Sequence, residues 1–355
     1  MDEQQESEDL AVEILKSFID TLPADVYAIK VSPQGNLISM SNDPEDDETS
    51  CVHYPPLEEI QRPEGIRTII RSELKEINRL GPDTDLKVVF KYYFIFQFIQ
   101  RVWNELNLWM RLPRHPNIVP FDRLVVDELK GRVVGFTSVY IPGGTLEDNQ
   151  SRVFKLRWFE QLTNVVDVLN LKHGIMHQDI ATRNLLVDPS TDNLQLFDFN
   201  FSGRIGGPCY IETRNDVNGV IFTLYEIITR DGHFRQVPNE EQNPDDVQGL
   251  SRWPKHPEVQ LDHPVSEYRS YLNRWVKKRR EERGISVYTE APEPIDWPPL
   301  QTPRREYTAV DKKGNEIVQL ETDWSRLRRN ERKKGNITLE WQRPPRNKVL
   351  QDDRS

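Results

Sequence analysis

An α+β fold of two lobes, strands leading and helices following, is what this 355-residue sequence predicts. Three observations predict it. Strand-like stretches crowd the region from about residue 65 to residue 141 around one amphipathic helix, and beyond the turn Pro142–Gly144 the periodicity is helical. Eight Trp, 14 Phe and 11 Tyr supply large side chains for a core, although the apolar fraction is only 36%. No run of about 18 apolar residues occurs, which argues against a membrane-spanning helix.

The first 60 residues hold 15 Asp and Glu against 2 Lys and Arg, a net charge of −13 where the whole chain carries −10. Acidity therefore belongs to an N-terminal extension, residues 1–60, and the nearly neutral remainder gives no reason to expect nucleic-acid binding. In the extension, Leu10, Ile14, Leu15, Phe18, Ile19 and Leu22 share one helix face that ends at Pro23. VYAIKVSPQGNLISM then reads as two strands about the turn Pro33–Asn36. After a Pro-broken linker, RTIIRSELKEINRL and LKVVFKYYF read as strands about the turn GPDTD. FQFIQRVWNELNLWMRL reads as a helix broken at Pro113, and NIVPFDRLVVDEL and GRVVGFTSVYI as two further strands. Helical patterns follow at residues 152–174, 215–229 and 265–283. Beyond Gly284 the chain is rich in Pro and Arg without sustained periodicity, and residues 285–355 read as a tail that wraps the core or stays disordered.

Cys51 and Cys209 make neither a disulfide framework nor a Cys-type zinc site. The acidic start MDEQQESEDL lacks a secretory pattern, so an intracellular setting, cytoplasmic or nuclear, is expected, with no membrane partner. The basic run Lys277–Arg280 stands beside Glu281 and Glu282 and reads as a solvated helix face.

The most informative segment is GIMHQDIATRNLLV, Gly174–Val187, between a long helix and a short apolar strand. It carries His177, Asp179 two residues later and Asn184 five residues after that. A second apolar run, LQLFDFNFSG, delivers Asp198 at its end. H-x-D alone is noise; the ordered set of apolar helix, H-x-D-x-x-x-x-N and hydrophobic-D-F is not.

This ordered set resembles the protein kinase family. The resemblance runs from about Lys91 to Thr229 and implies a bilobal protein kinase-like domain over residues 61–284, with a small mainly β N-lobe to about 137 and a larger mainly α C-lobe from about 143. It implies ATP and Mg²⁺ as cofactors and a protein hydroxyl as acceptor. Lys91 would contact the nucleotide phosphates as a point cation, oriented by Glu105. Lys91 is preferred to Lys30, in YAIK, because Glu105 follows Lys91 by 14 residues and Lys30 by 75. Asp179 would act as general base, Arg183 would place a second cation near the transferred group, and Asn184 and Asp198 would be the hard oxygen ligands of Mg²⁺. Ser138 would be the gatekeeper, with Val139, Ile141 and Leu186 at the adenine. Trp109, His177 and Phe199 would form an apolar stack aligning the lobes. Asp216 would cap its helix and hold the catalytic loop.

The sequence departs from the family at four places. No G-x-G-x-x-G precedes Lys91; Gln178 stands where the family has the arginine of H-R-D; Asn200 replaces the glycine of D-F-G, a residue type that tolerates left-handed backbone; and only 18 residue steps, with no A-P-E, separate Asp198 from Asp216. Two alternatives to a protein kinase therefore stay open: a pseudokinase or scaffold that binds partners, and a small-molecule kinase. Both extensions are candidate surfaces for a protein partner.

Overall fold

The structure, a computed structural model, describes residues 13–18, 21–23, 26, 28–43, 55–75, 87–92, 99–127, 131–282, 284–300, 306–310, 316–320 and 333–336. The turn GPDTD, Cys51 and part of the predicted N-terminal helix lie outside these residues. The chain divides into two compact units, one formed by Met1–His53 with Pro303–Ser355 and one by Tyr54–Thr302.

In the first unit residues 13–18 are helical. Strands β1 (Ala28–Val31) and β2 (Leu37–Ser41) pair antiparallel, with Ala28 opposite Ser41. Gly35, at φ 81°, permits the tight turn between them. Lys30 is exposed on this hairpin.

The second unit begins with a four-stranded sheet. Its strands are β3 (Arg67–Ile70), β4 (Val88–Lys91), β5 (Phe121–Val126) and β6 (Val133–Val139), in the order β3-β5-β6-β4. β6 lies between two partners and is buried along almost its whole length, Thr137 and Ser138 included. β3 corrects the expectation of a long strand from Arg67: it has four residues, runs parallel to β5 and gives way to a tight turn, Arg71–Lys75. The strand therefore sits on the edge of the sheet remote from β4, with Arg67 opposite Arg123. Helix α1 (Ile99–Arg111) lays Val102, Trp103, Leu106, Trp109 and Met110 into the core and stops before Pro113.

Helices dominate the rest. α2 (Leu156–Asp167) widens at its end into a π turn, Val168–Lys172. The short strand β7 (Ile175–Met176), the hairpin β8 (Leu185–Asp188) and β9 (Asn193–Leu196), and the strand β10 (Gly203–Arg204) follow. Then come α3 (Asp216–Thr229), α4 (Pro244–Gln248) and α5 (Val265–Glu281). α3 is apolar around most of its circumference, so it becomes the buried axis of the lobe. Its cap corrects one expectation: the side chain of Asn215, not of Asp216, accepts from Val217 N at 2.8 Å. The run Lys277–Arg280 is answered by acids throughout: Lys277 by Glu281, Lys278 by Glu282, Arg279 by Asp167 and Arg280 by Asp245. Arg279 is largely buried, so it belongs to the packing of α5 on α2 as well as to the helix surface.

The compact unit takes in residues on both sides of the expected limits 61–284. Leu57 and Ile60 pack on the core before it, and Ile295 and Trp297 are buried after it. Residues 284–300 form a strap. Tyr288 N donates to Ile205 O at 2.8 Å, Glu293 N to Lys172 O at 2.9 Å and Ile295 N to His173 O at 3.2 Å. At Gly174 and Gly206, both at φ 69°, an added Cβ would lie 2.7 Å from strap backbone atoms, so only glycine admits the segment. Trp103 Nε1 donates to Pro298 O at 2.8 Å and Trp297 Nε1 to Asn104 Oδ1 at 3.2 Å, which ties the strap to α1. Within the residues read as an aperiodic tail, β11 (Glu306–Val310) and β12 (Glu316–Leu320) form a second hairpin of the first unit. No described helix is long and apolar enough to cross a membrane.

Candidate active site

Lys91 ends β4 directly opposite Phe136 on β6. The neighbouring Gly135 makes this approach feasible, since a Cβ there would sit 2.4 Å from the Lys91 carbonyl oxygen. The helical period of α1 puts Glu105 on its inward face, one turn before Trp109. Lys91 Nζ donates to Glu105 Oε1 at 2.7 Å and also to Asp198 Oδ1. Glu105 is wholly inaccessible to solvent, and burial pushes its carboxyl up to about 7; Lys91 pulls it down, while the neighbouring Asp198 adds to the rise.

The β8–β9 hairpin brings the other residues to the same place. Leu185 pairs with Leu196, and Phe197 N donates to Asn184 O at 3.2 Å, so Asn184 and Asp198 flank the open end of one hairpin. Asp179 leads into it: Asn184 Nδ2 donates to Asp179 Oδ2 at 2.7 Å and to Asp179 O at 2.8 Å. Arg183 pairs with Asp179 Oδ1 and leaves about half its side chain in solvent. Phe199 is fully buried, with its ring centroid 5.2 Å from Trp109 and 5.1 Å from His177. All three members of the expected stack therefore meet. The left-handed residue of this turn is Asp198, at φ 65°, and not Asn200, which sits in the tight turn Phe199–Phe201. The expectation that Asn200 would supply the left-handed backbone is thus corrected: the strain falls on the carboxylate itself, whose backbone setting aims it at Lys91.

Asp216 is the hub of the loop. His177 N donates to its Oδ2 and Gln178 N to its Oδ1, both at 2.7 Å, and Asn170 Nδ2 adds a bond to Oδ2 at 2.8 Å. Burial pushes the Asp216 carboxyl up, against the pull of these donors. His177 Nε2 lies 3.1 Å from Phe197 O and links the loop to the residue before Asp198.

Gln178 does something the motif comparison missed. Its Nε2 donates to Phe201 O at 2.6 Å and to Cys209 O at 2.9 Å, and its Oε1 accepts from Ile211 N at 2.5 Å. One neutral amide thereby pins both ends of the short segment that follows Asp198. It does so from a left-handed backbone, φ 64°, which costs a non-glycine residue about 1–2 kcal/mol.

Three other contributors were not found in the sequence. The π turn aims Asn170 at Asp216 and at Ile175 O, the latter at 2.8 Å; such a turn shifts the phase of the helical period and is not announced by it. Arg235, beyond α3, donates to Ile180 O at 2.9 Å, Gly219 O at 2.8 Å and Thr223 Oγ1 at 2.6 Å, bracing the loop against α3. Gly219 permits that contact, since a Cβ there would meet Ile180 Cβ at 2.9 Å. An invariant-looking spacing for Arg235 does not exist, but a glycine inside an apolar helix was a legible sign of close approach.

Of the residues expected at the adenine, Ser138 is buried at the end of β6, and Val139 N donates to Pro120 O at 3.0 Å. Ile141 is nearly buried, and its N–H has no partner among the described residues. Leu186, half-buried in β8, bridges to Thr145 just beyond this connection. Among the described residues no group of three or more His, Cys, Asp or Glu gathers to hold a metal. Two oxygen donors do fit Mg²⁺, an ion that completes its shell with water and phosphate oxygens. Asn184 spends its amide nitrogen on Asp179 and keeps Oδ1, and Asp198 keeps Oδ2 while Oδ1 accepts from Lys91.

No protein-family profile matches the chain. Part of it is similar to plant kinases. CBL-interacting serine/threonine-protein kinase 16 of Arabidopsis thaliana is 32% identical over 130 residues, 34% of this chain and 26% of the relative. CBL-interacting protein kinase 12 of Oryza sativa subsp. japonica is 33% identical over 134 residues, 36% of this chain and 22% of the relative. CBL-interacting protein kinase 5 of the same rice is 33% identical over 109 residues, 29% and 22% of the two chains. The matched part of the chain spans only about a quarter of the length of these relatives.

Proposed function

Because this chain carries a protein kinase-like domain, we propose that it is an ATP-dependent phosphotransferase that moves the γ-phosphate of ATP to a hydroxyl of a protein acceptor. One observation carries the reading. The Lys91 ammonium is shared by two carboxylates, Glu105 and Asp198, that lie 14 and 107 positions away in sequence. A cation so placed is positioned for phosphate oxygens, with Glu105 holding it and Asp198 beside it.

In this reading Asp179 accepts the acceptor hydroxyl's proton, a role that contributes roughly 10²–10⁴ in rate. Its two carboxylate oxygens are held by Asn184 and Arg183, which fix its orientation; the half-exposed Arg183 is the partner free to swing toward the transferred group. Asn184 and Asp198 would hold Mg²⁺, which when bound supplies charge neutralisation at the phosphates. The Ile141 N–H is the unspent donor at the adenine position, and Ser138 and Leu186 border it. Protein partners at residues 1–60 or 285–355, and a cytoplasmic or nuclear setting, belong to the same reading.

The scaffold reading draws on a different observation: no G-x-G-x-x-G, the sequence of a glycine-rich phosphate cover, precedes Lys91. Calorimetric titration of ATP with and without Mg²⁺ separates the two. The parent is expected to bind in a Mg²⁺-dependent manner, Lys91→Met to lose that binding, and Asp179→Asn to keep it while losing turnover. A folded parent that ignores Mg-ATP would leave only the scaffold.

A further inference from the structure

A pocket of about 520 Å³ opens beside the loop residues Ala181, Thr182 and Arg183. Four arginines line it, Arg152, Arg183, Arg230 and Arg235, against two glutamates, Glu147 and Glu226. Arg235 lies 2.8 Å from Glu226, Arg230 pairs with Glu258 outside the lining, and Arg152 has no carboxylate partner among the described residues.

On the other side of the loop a pocket of about 270 Å³ contains Asp179 and shares Arg183 and Arg235 with the first. Arg214 stands in it with its guanidinium 4.5 Å from the Phe201 ring centroid, again without a carboxylate partner among the described residues. Each pocket thus contributes one arginine, Arg152 in the larger and Arg214 in the smaller, without a carboxylate partner among the described residues.

We propose that the acceptor is an acidic polypeptide segment, with its hydroxyl at Asp179 and a neighbouring Asp or Glu side chain in the arginine-lined pocket; this inference rests on the phosphotransferase reading above. Guanidinium forks match carboxylates, and an arriving acidic side chain gives Arg152 the carboxylate it lacks among the described residues. An extended chain reaches both pockets across their shared wall. A compact acceptor confined to the smaller pocket does not reach Arg152.

The test measures binding directly. Two fluorescent peptides of equal length, each with central Ser and Tyr, carry Glu or Lys at the flanking positions and are titrated with the full chain by anisotropy. The Glu peptide is expected to bind at least about tenfold more tightly than the Lys peptide, with an affinity that falls as salt is raised. Arg152→Gln should weaken it roughly tenfold and Arg152→Lys less, with Mg-ATP affinity as the check on folding. If Arg152→Gln does not fold, Arg214→Gln makes the same test from the smaller pocket. Equal binding of the two peptides, or an unaffected Arg152→Gln, would overturn the inference. So would displacement of the Glu peptide by an equal concentration of inorganic phosphate, which would assign the pocket to a free oxyanion. Peptide binding needs no turnover, so a parent that binds the Glu peptide but not Mg-ATP would sink the phosphotransferase reading alone.

Discussion

Glu105 and Asp216 are both fully buried carboxylates, and burial raises the pKa of both, yet they are satisfied in opposite ways. Glu105 is met by the Lys91 ammonium, at the end of a flexible stem, which it shares with Asp198. Asp216 receives three N–H donors, two of them from the backbone of the loop it organises. The first arrangement can be re-formed around an arriving anion, as the proposed function requires, because an ammonium is a point charge with three rotatable donors. The second cannot be re-formed without unfolding the loop. Adjustability and architectural permanence are thus divided between two carboxylates of similar burial.

The sharpest way to break this contrast is Asp216→Ala, which strands two backbone N–H groups and Asn170 in the interior. A loss of about 3–5 kcal/mol is expected by urea denaturation, and a loss under 1 kcal/mol would show that the hub is not structural. Glu105→Gln should cost far less stability while weakening Mg-ATP binding roughly tenfold by calorimetry, because Lys91 loses its orienting charge. Its clearest signature lies in pH. A carboxyl raised from 4.5 to about 7 on folding binds more protons folded than unfolded between those values. Its contribution, on the order of 3 kcal/mol, is full below about pH 4.5 and lost as pH rises through about 7. Denaturation at pH 4.5 and 7.5 should reveal this decline in the parent and a flatter profile in Glu105→Gln. The smallest effect is expected from Asp198→Asn on the titration of Glu105. Removing a charge that raises the Glu105 pKa should move its ionisation below 7, followed by carboxyl infrared absorption with the Gln variant as reference. An unmoved titration would mean that the two carboxylates do not share Lys91 in solution.

Much of this geometry was legible because it is local. Asp179 and Asn184 are five residues apart and Asp198 follows one hairpin later, so short-range spacing brings them together once the two apolar runs pair. The helical period likewise sets Glu105 one turn from Trp109. What escaped was decided over long separations or by backbone angles. β3 joins β5 in parallel, a choice between sheet edges that its four residues do not encode. The left-handed turn fell on Asp198 and Gln178, where tertiary contacts override residue preference, and not on Asn200. Asn104 and Trp297 meet across 193 positions, with no periodicity to announce it.

The strap carries a practical consequence for where this domain can be cut. Arg204 lies between the rings of Trp297 and Tyr288, at 4.5 Å and 5.2 Å, so the segment just after the Asp198 turn is clasped by residues beyond the last large helix. A fragment ending at Gly284 retains every residue of the kinase-like motifs, yet it uncovers Gly174 and Gly206, leaves Arg204 without its aromatic walls and takes the hydrogen-bond acceptor from Trp103. The minimal autonomous unit is therefore expected to extend through Trp297 and Pro298, beyond the motif that names the fold, and protease resistance should persist through residue 300.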